Sequence, residues 1–238
     1  MTIAEITPAS FAEGSVAVTQ TTQAVTRTLV ADSYLHIIAS YDLSRGTPTS
    51  ITITDNNGNG GTYSSQLDVE NDATSGQGCC HFVTTTPTKA GSCVITATCN
   101  GVTGGVFALC ICVQEIKGSS GQNVHTGNIQ ASPGTGTDAV TTGNMTPGGQ
   151  PALVAALAMD SGAGSTTSPS AGTGFTDAGT GWALGTGHDL ARAESKRVTS
   201  VAAVAGTFTT GTNARFTSLG AVFVEANPGI FFGAGTTS

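Results

Sequence analysis

Runs of β-branched and apolar residues, bounded by turns rich in Gly, Asn and Pro, recur about every 8–12 residues through most of this chain, the spacing of an all-β protein. "SYLHIIASYD" (33–42), "GSCVITATCNG" (91–101) and "GGVFALCICVQEI" (104–116) are the clearest examples. An alternating strand has one face on a core and one in water, whereas a strand that is apolar throughout is covered on both faces. The run at 91–101 alternates, with Cys93, Ile95, Ala97 and Cys99 on one face, and the other two are nearly continuous. One or two strands are read in 15–30, then strands at 50–54, 62–69 and 79–86. The second half gives strands at 137–145, 151–161, 174–184, 188–198, 201–210 and 214–227. "PALVAALAM" and "HDLARAESKRV" also have helical propensity, the first with Pro151 placed as at a helix start. The regular spacing favours strands for both.

The 238 residues suit one large domain or two small ones. Charged residues make up 10% of the chain, against about 25% in ordinary domains. That excludes a coiled coil and charge-driven disorder. The 33 Gly fit a protein made of strands and turns. Net charge is −7 with only 8 Lys and Arg, so little can neutralise phosphates and no nucleic-acid partner is expected. No segment reaches the ~18 apolar residues of a membrane span. "MTIAEITPASFAEG" has neither the basic nor the apolar region of a secretory signal, so synthesis in a cytoplasm is expected. The reading divides the chain into an irregular N-terminal arm (1–14), a single sandwich domain (15–226) and a C-terminal tail (227–238). Residues 117–136 are loop-like, a crossover between halves of the sandwich.

"SITITDNNGNGGTYSS" (50–65) holds half of a calcium loop, Asp55-x-Asn57-x-Asn59-Gly60. The bidentate Glu of such a loop is replaced by Gln66, and its flanks are strand formers rather than helices. Asn and Gly supply positive φ, so the segment reads as a hairpin loop rather than a metal site.

Six Cys (Cys79, Cys80, Cys93, Cys99, Cys110 and Cys112) lack zinc spacing. They are either small core residues or disulfide partners in a protein that works outside the cell. If 91–100 and 104–116 form a hairpin, a four-residue loop sets Cys93 opposite Cys112 and a two-residue loop sets it opposite Cys110. Cys79 and Cys80 point to opposite faces.

Catalytic groupings are sparse. His36 sits inside an apolar strand and reads as structural. "MDSGAG" (159–164) has the Asp-Ser-Gly of a protease without the rest of its machinery. His188 and Asp189 are adjacent and so face opposite ways on a strand. There is no phosphate loop and no carboxylate pair on one strand. Arg192, Glu194 and Lys196 share one face and, with Arg197, read as a solvated face or a subunit contact. Trp182, the single Trp, reads as core. No catalytic residue, metal or cofactor is expected.

The strand–"DNNGNGGTY" hairpin, the apolar strand ending in "QEIKG", the "GTGF" turn and the last strand "AVFVEA" together resemble a family of jelly-roll-like β-sandwich domains. Members occur in tailed-phage structural proteins and in secreted bacterial surface proteins, and the likeness covers roughly 15–226. The chain departs from it at His81-Phe82 and in its six Cys, and the resemblance carries over no functional residues. It implies an antiparallel jelly-roll-like sandwich in a phage virion: a decoration, cement, collar or tail accessory subunit, homo-oligomeric and bound to other virion proteins. A carbohydrate-binding or adhesin module is the alternative. Ile230, Phe231 and Phe232, in the tail beyond Pro228, are candidates for a subunit interface.

Overall fold

The computed structural model describes residues 2–12, 18–59, 63–72, 77–131, 138–148, 151–160, 169–177, 182–183, 190–210 and 215–226. Among these, regular structure is antiparallel strand apart from one 3-10 turn, Leu43–Arg45. Four sheets form. Sheet 1 runs β2 (Thr22–Leu29), β7 (Gly91–Asn100), β4 (Ser50–Asp55). Sheet 2 runs β1 (Ala4–Ala12), β8 (Phe107–Lys117), β3 (Ser33–Asp42), β6 (Gln77–Thr84), β5 (Tyr63–Asp72). Sheet 3 runs β13 (Thr176–Asp177), β15 (Leu190–Val198), β11 (Ala152–Asp160), β17 (Arg215–Glu225), β9 (Ser119–Ala131), with β14 (Trp182–Ala183) also on β15. Sheet 4 runs β10 (Asp138–Thr141), β16 (Thr207–Thr210), β12 (Ser170–Ala171).

The cores show how the sheets stack. Val25, Ile51, Ile53, Cys93 and Ile95 of sheet 1 meet Leu35, Ile37, Phe82, Leu109 and Ile111 of sheet 2. On the other face of sheet 2, Ile38, Cys79, Cys110 and Cys112 meet Leu157, Ala193 and Leu219 of sheet 3, and Tyr34, Val83 and Ile116 meet Leu153, Ala221 and Phe223. Val140 and Phe208 of sheet 4 close over Ala156 and Ala158. The protein is an all-β sandwich of four layers. Sheets 2 and 3 are covered on both faces, which is why β3 and β8 are buried at nearly every position while β2, β7 and β4 alternate. The alanines of β11 let sheet 4 approach closely: a Cβ on Gly206 would collide with that of Ala156.

Several connections differ from the sequence reading. Residues 4–12, expected as an irregular arm, form β1 and pair with β8. Residues 119–131, expected as loop, form β9 at the edge of sheet 3. Gly118 alone joins β8 to β9, at φ 82°, and a Cβ there would press on the backbone of Thr2 and Ile3. Neither expected hairpin forms. β4 pairs with β7 and β5 with β6, so the "NNGNGG" loop crosses between sheets. Its side chains bond to a neighbouring loop instead of closing a tight turn: Asn57 Nδ2 donates to Lys89 O (3.1 Å), and Asn59 Oδ1 accepts from Lys89 N (3.1 Å). β7 and β8 likewise lie in different sheets. After the turn, Gly105 passes against the Gln20 backbone where no Cβ fits, and Val106 pairs with Gln20.

One ion pair ties three strands across the first sandwich. Arg27 lies on the inner face of β2 and Glu115 on the sheet 1 side of β8, and both are buried. Arg27 Nε donates to Glu115 Oε2 at 2.7 Å, while its other nitrogens donate to Pro8 O, Ser10 Oγ and Ile6 O of β1. Glu115 Oε1 accepts from Val30 N and Ser33 Oγ, each at 2.7 Å. The guanidinium thereby holds the stretch of β1 where its register on β8 shifts, between Ile6 and Ser10. Removing one partner strands a buried charge, which typically costs about 3–5 kcal/mol. Glu115→Leu should lower the urea midpoint accordingly, and the double change Arg27→Met/Glu115→Leu should recover part of the loss.

Candidate functional site

The seam between sheets 2 and 3 carries a row of buried polar groups. Alternation on β8 sends Gln114 into the seam and Glu115 away from it. Gln114 Oε1 lies 2.7 Å from His36 Nδ1, and Gln114 Nε2 donates to Glu5 Oε1 (3.0 Å) and to the Glu194 carbonyl (3.2 Å). His36 meets His81 edge to face at 4.8 Å between ring centres. A row Glu5–Gln114–His36–His81 thus runs inward from the edge of sheet 2. At its outer end is a cleft of about 220 Å³ lined by Ile3, Glu5, Thr7, Leu153, Ser195 and Arg197, among others.

Glu5 is the chemically distinctive group there. Burial pushes its carboxyl up from 4.5 to about 7, against the opposing pull of Ser195 and Gln114. On β15 of sheet 3, Glu194 is also raised to about 7 by burial, although Gly172 N (2.6 Å) and Thr207 N (2.9 Å) donate to its two oxygens. Glu194 and Ser195 are neighbours on β15 and face opposite ways. The strand therefore fastens sheet 4 on one side through Glu194 and meets β1 on the other through Ser195. Glu5 can exchange a proton near neutrality, but Gln114 stands between it and His36, so the two make no direct acid–base pair.

The remaining candidates fall into place around this seam. Glu194, read as part of a solvated face or a subunit contact, is fully buried because sheet 4 covers that face of sheet 3. Arg192 pairs with Asp177, Arg197 with Glu225, and Lys196 lies 5.4 Å from the Phe175 ring centre. His36 is buried and bonded to Gln114, as a structural histidine would be. Asp55 Oδ1 accepts from Asn57 N (2.7 Å) and Asn59 N (3.2 Å), and Oδ2 accepts from Tyr63 Oη (2.8 Å). Both oxygens of its carboxylate hold its own loop. The segment from Ser161, the His188–Asp189 pair and the tail with Ile230, Phe231 and Phe232 lie outside the described residues, as does the Trp182 side chain.

All six Cys are buried thiols. Cys80, Cys93 and Cys99 lie in the core between sheets 1 and 2, and Cys79, Cys110 and Cys112 lie in the seam. Neither expected bridge, Cys93 to Cys112 or Cys93 to Cys110, can form, because sheet 2 itself separates the two thiols. Cys79 and Cys80 do face opposite ways. Burial raises the Cys93 thiol to about 11 and also raises Cys99 and Cys112.

Arg27, Glu115 and Glu5 were not singled out from the sequence. Their signal was present for two of them: a charge at a core position, Arg27 in phase with Val25 and Leu29, and Glu115 inside an apolar run.

The fold and seam define a class, a four-layered antiparallel β-sandwich with a polar row buried between its two central sheets. No family model, curated protein or solved structure matches this chain.

Glu5 holds its proton more tightly in the folded than in the unfolded chain, so its contribution to stability falls as pH rises from about 4.5 to about 7. Glu5→Gln keeps the acceptor for Gln114 and stays neutral. It should flatten the decline in Tm between pH 5 and 8 and stabilise the protein at pH 8 by roughly 1–2 kcal/mol. Iodoacetamide at pH 8 should leave the native thiols largely unmodified and alkylate all six once the chain is unfolded in urea without reductant.

Proposed function

We propose that this protein is a structural, non-enzymatic subunit of a tailed-phage particle, acting as a capsid decoration or cement protein or as a collar or tail accessory. The observation that carries the reading is the pairing order of the first eight strands. β1 pairs with β8, β2 with β7 and β3 with β6, while β3 also pairs with β8 and β4 with β7. A long antiparallel ribbon rolled onto itself as a jelly roll has these pairings. β5 departs from that order by joining β6 where a jelly roll would join it to β4. Jelly rolls recur in viral capsid proteins and in lectins, so the order supports a virion role and leaves the sugar-binding alternative to be weighed separately.

The tyrosines weigh against sugar binding. Stacking on a sugar needs exposed aromatic rings, and Tyr34 and Tyr41 are buried while Tyr63 is half-buried with its hydroxyl on Asp55. The chain has three Tyr in all. Partners on this reading are sister subunits and other virion proteins, and the site of action is the particle.

A mass-spectrometric inventory of particles purified from the source culture tests the assignment. Peptides of this chain should appear at a fixed ratio to the major shell protein through successive density gradients. Their loss on purification, or saturable binding of the isolated protein to an oligosaccharide array, would replace the structural reading with the adhesin one.

A further inference from the structure

Sheet 1 ends at β4, and among the described residues no strand pairs with the outer edge of β4. The ladder fixes which backbone groups point there. Cys99 N donates to Thr21 O, so the odd-numbered residues of β7 bond to β2 and the even-numbered ones bond to β4. Asn56 N donates to Val94 O, in register with the pairs Thr54–Thr96, Thr52–Thr98 and Ser50–Asn100. The amides and carbonyls of Ser50, Thr52 and Thr54 are therefore used within the sheet, and those of Ile51 and Ile53 point outward.

An open edge is a template for another strand unless something blocks it. The β1 edge of sheet 2 carries Pro8 and a register shift. β10, β12, β13 and β14 are only two to four residues long. β2, the other edge of sheet 1, has Arg27 on its inner face, committed to Glu115 and β1. Among the described residues β4 has no such block: the other long edges, β5 and β9, each pair with two register shifts, whereas the β4 ladder is regular throughout. It reads "SITITD", with Ile51 and Ile53 buried, Thr52 and Thr54 exposed, and no Pro, Gly or Lys. Its one charge, Asp55, sits at the end and is taken up by its own loop. The outer face of sheet 1 carries hydroxyls in register, Thr22–Thr98–Thr52 in one row and Thr96–Thr54 in the next.

We propose that β4 is a self-association edge: two copies of the chain pair antiparallel through β4 about a two-fold axis at Thr52, joining two three-stranded sheets into one. The sequence of the edge selects this register. Residues directly opposite in an antiparallel pair share a face, so a shift of one residue would set Ile against Thr and force one of them onto the wrong side. A two-fold at Ile53 would bring Asp55 opposite Ile51 on the inner face. With the axis at Thr52, Ile51 of each copy faces Ile53 of the other, and these two pairs exchange the outward N–H and C=O groups. Thr52 faces Thr52 as a non-hydrogen-bonded pair on the exposed side. The occupant is thus a second copy, because the edge is complementary to itself in sequence, face and hydrogen-bonding phase. A single strand pair is a small contact of the transient class, so dimers should build up with concentration. The inference does not depend on the particle assignment and is tested on the isolated protein.

Thr52 is exposed, so substituting it leaves the core intact. Thr52→Cys should form a disulfide-linked dimer under mild oxidation much faster than Thr28→Cys, which stands on the same outer face on β2. Thr52→Lys and Thr52→Glu should each weaken dimerisation at least about tenfold in sedimentation velocity by placing like charges directly opposite. An equimolar mixture of the two should restore it, and an unchanged urea midpoint shows that the fold is retained. The proposal is overturned if the unmodified protein sediments as a monomer up to its solubility limit, if Thr52→Lys dimerises as strongly as the parent, or if the two Cys variants cross-link at equal rates.

Discussion

Sheets 2 and 3 lie against each other, and the central strands of each are covered on the far side as well, so β3, β8 and β11 have no solvent face. The other properties of the molecule follow from that burial. A strand in such a position has to be apolar at successive residues, as β3, β8 and β11 are. A polar side chain it carries is costly to leave without a partner, because an unpaired buried polar group costs more than the bond contributes. Gln114 and Glu115, consecutive on β8, show both outcomes of the alternation: one is taken up by the seam and the other by Arg27.

The charged groups so trapped do specific structural work. A buried ion pair contributes little net stability by comparison with a well-packed apolar pair. The Arg27–Glu115 pair instead specifies where β1 lies, because the guanidinium binds that strand at the one place where its ladder with β8 is irregular. Glu194 does the same for sheet 4 by holding the backbone of Gly172 and Thr207. Glu5 closes the open end of the seam. Because Glu5 and Glu194 are both desolvated, the sandwich carries a penalty above neutrality that it lacks in mild acid.

The outermost layer is built differently. Sheet 1 has one wet face, and its strands alternate strictly, with threonines in register on the exposed side. Burial therefore sets the composition layer by layer: continuous apolar strands in the middle, alternating strands outside. The same gradient places every Cys at a buried, inward-facing position.

The existence of most strands was legible in the sequence because it depends on local patterning; β1 and β9, read as arm and loop, were the exceptions. Alternation in "GSCVITATC" and continuity in "SYLHIIASYD" correctly separated a half-wet strand from one covered on both faces, and even the Ala- and Leu-rich "PALVAALAM" is a strand. Patterning also put Cys79 and Cys80 on opposite faces. What the sequence did not determine was which strands share a sheet. The "NNGNGG" and "NGVTGG" turns have the composition of hairpins, but each connects strands of different sheets, because side-chain bonds from Asn57 and Asn59 to Lys89, and the fit of Gly105 against Gln20, are contacts with residues distant in the chain. The Glu5–Gln114–His36 row and the covering of Glu194 have the same origin. Period and composition report whether a residue is buried, since that is a property of its own strand. Its partner across the seam is set by how the sheets stack, and that is decided only when strands far apart in sequence come together.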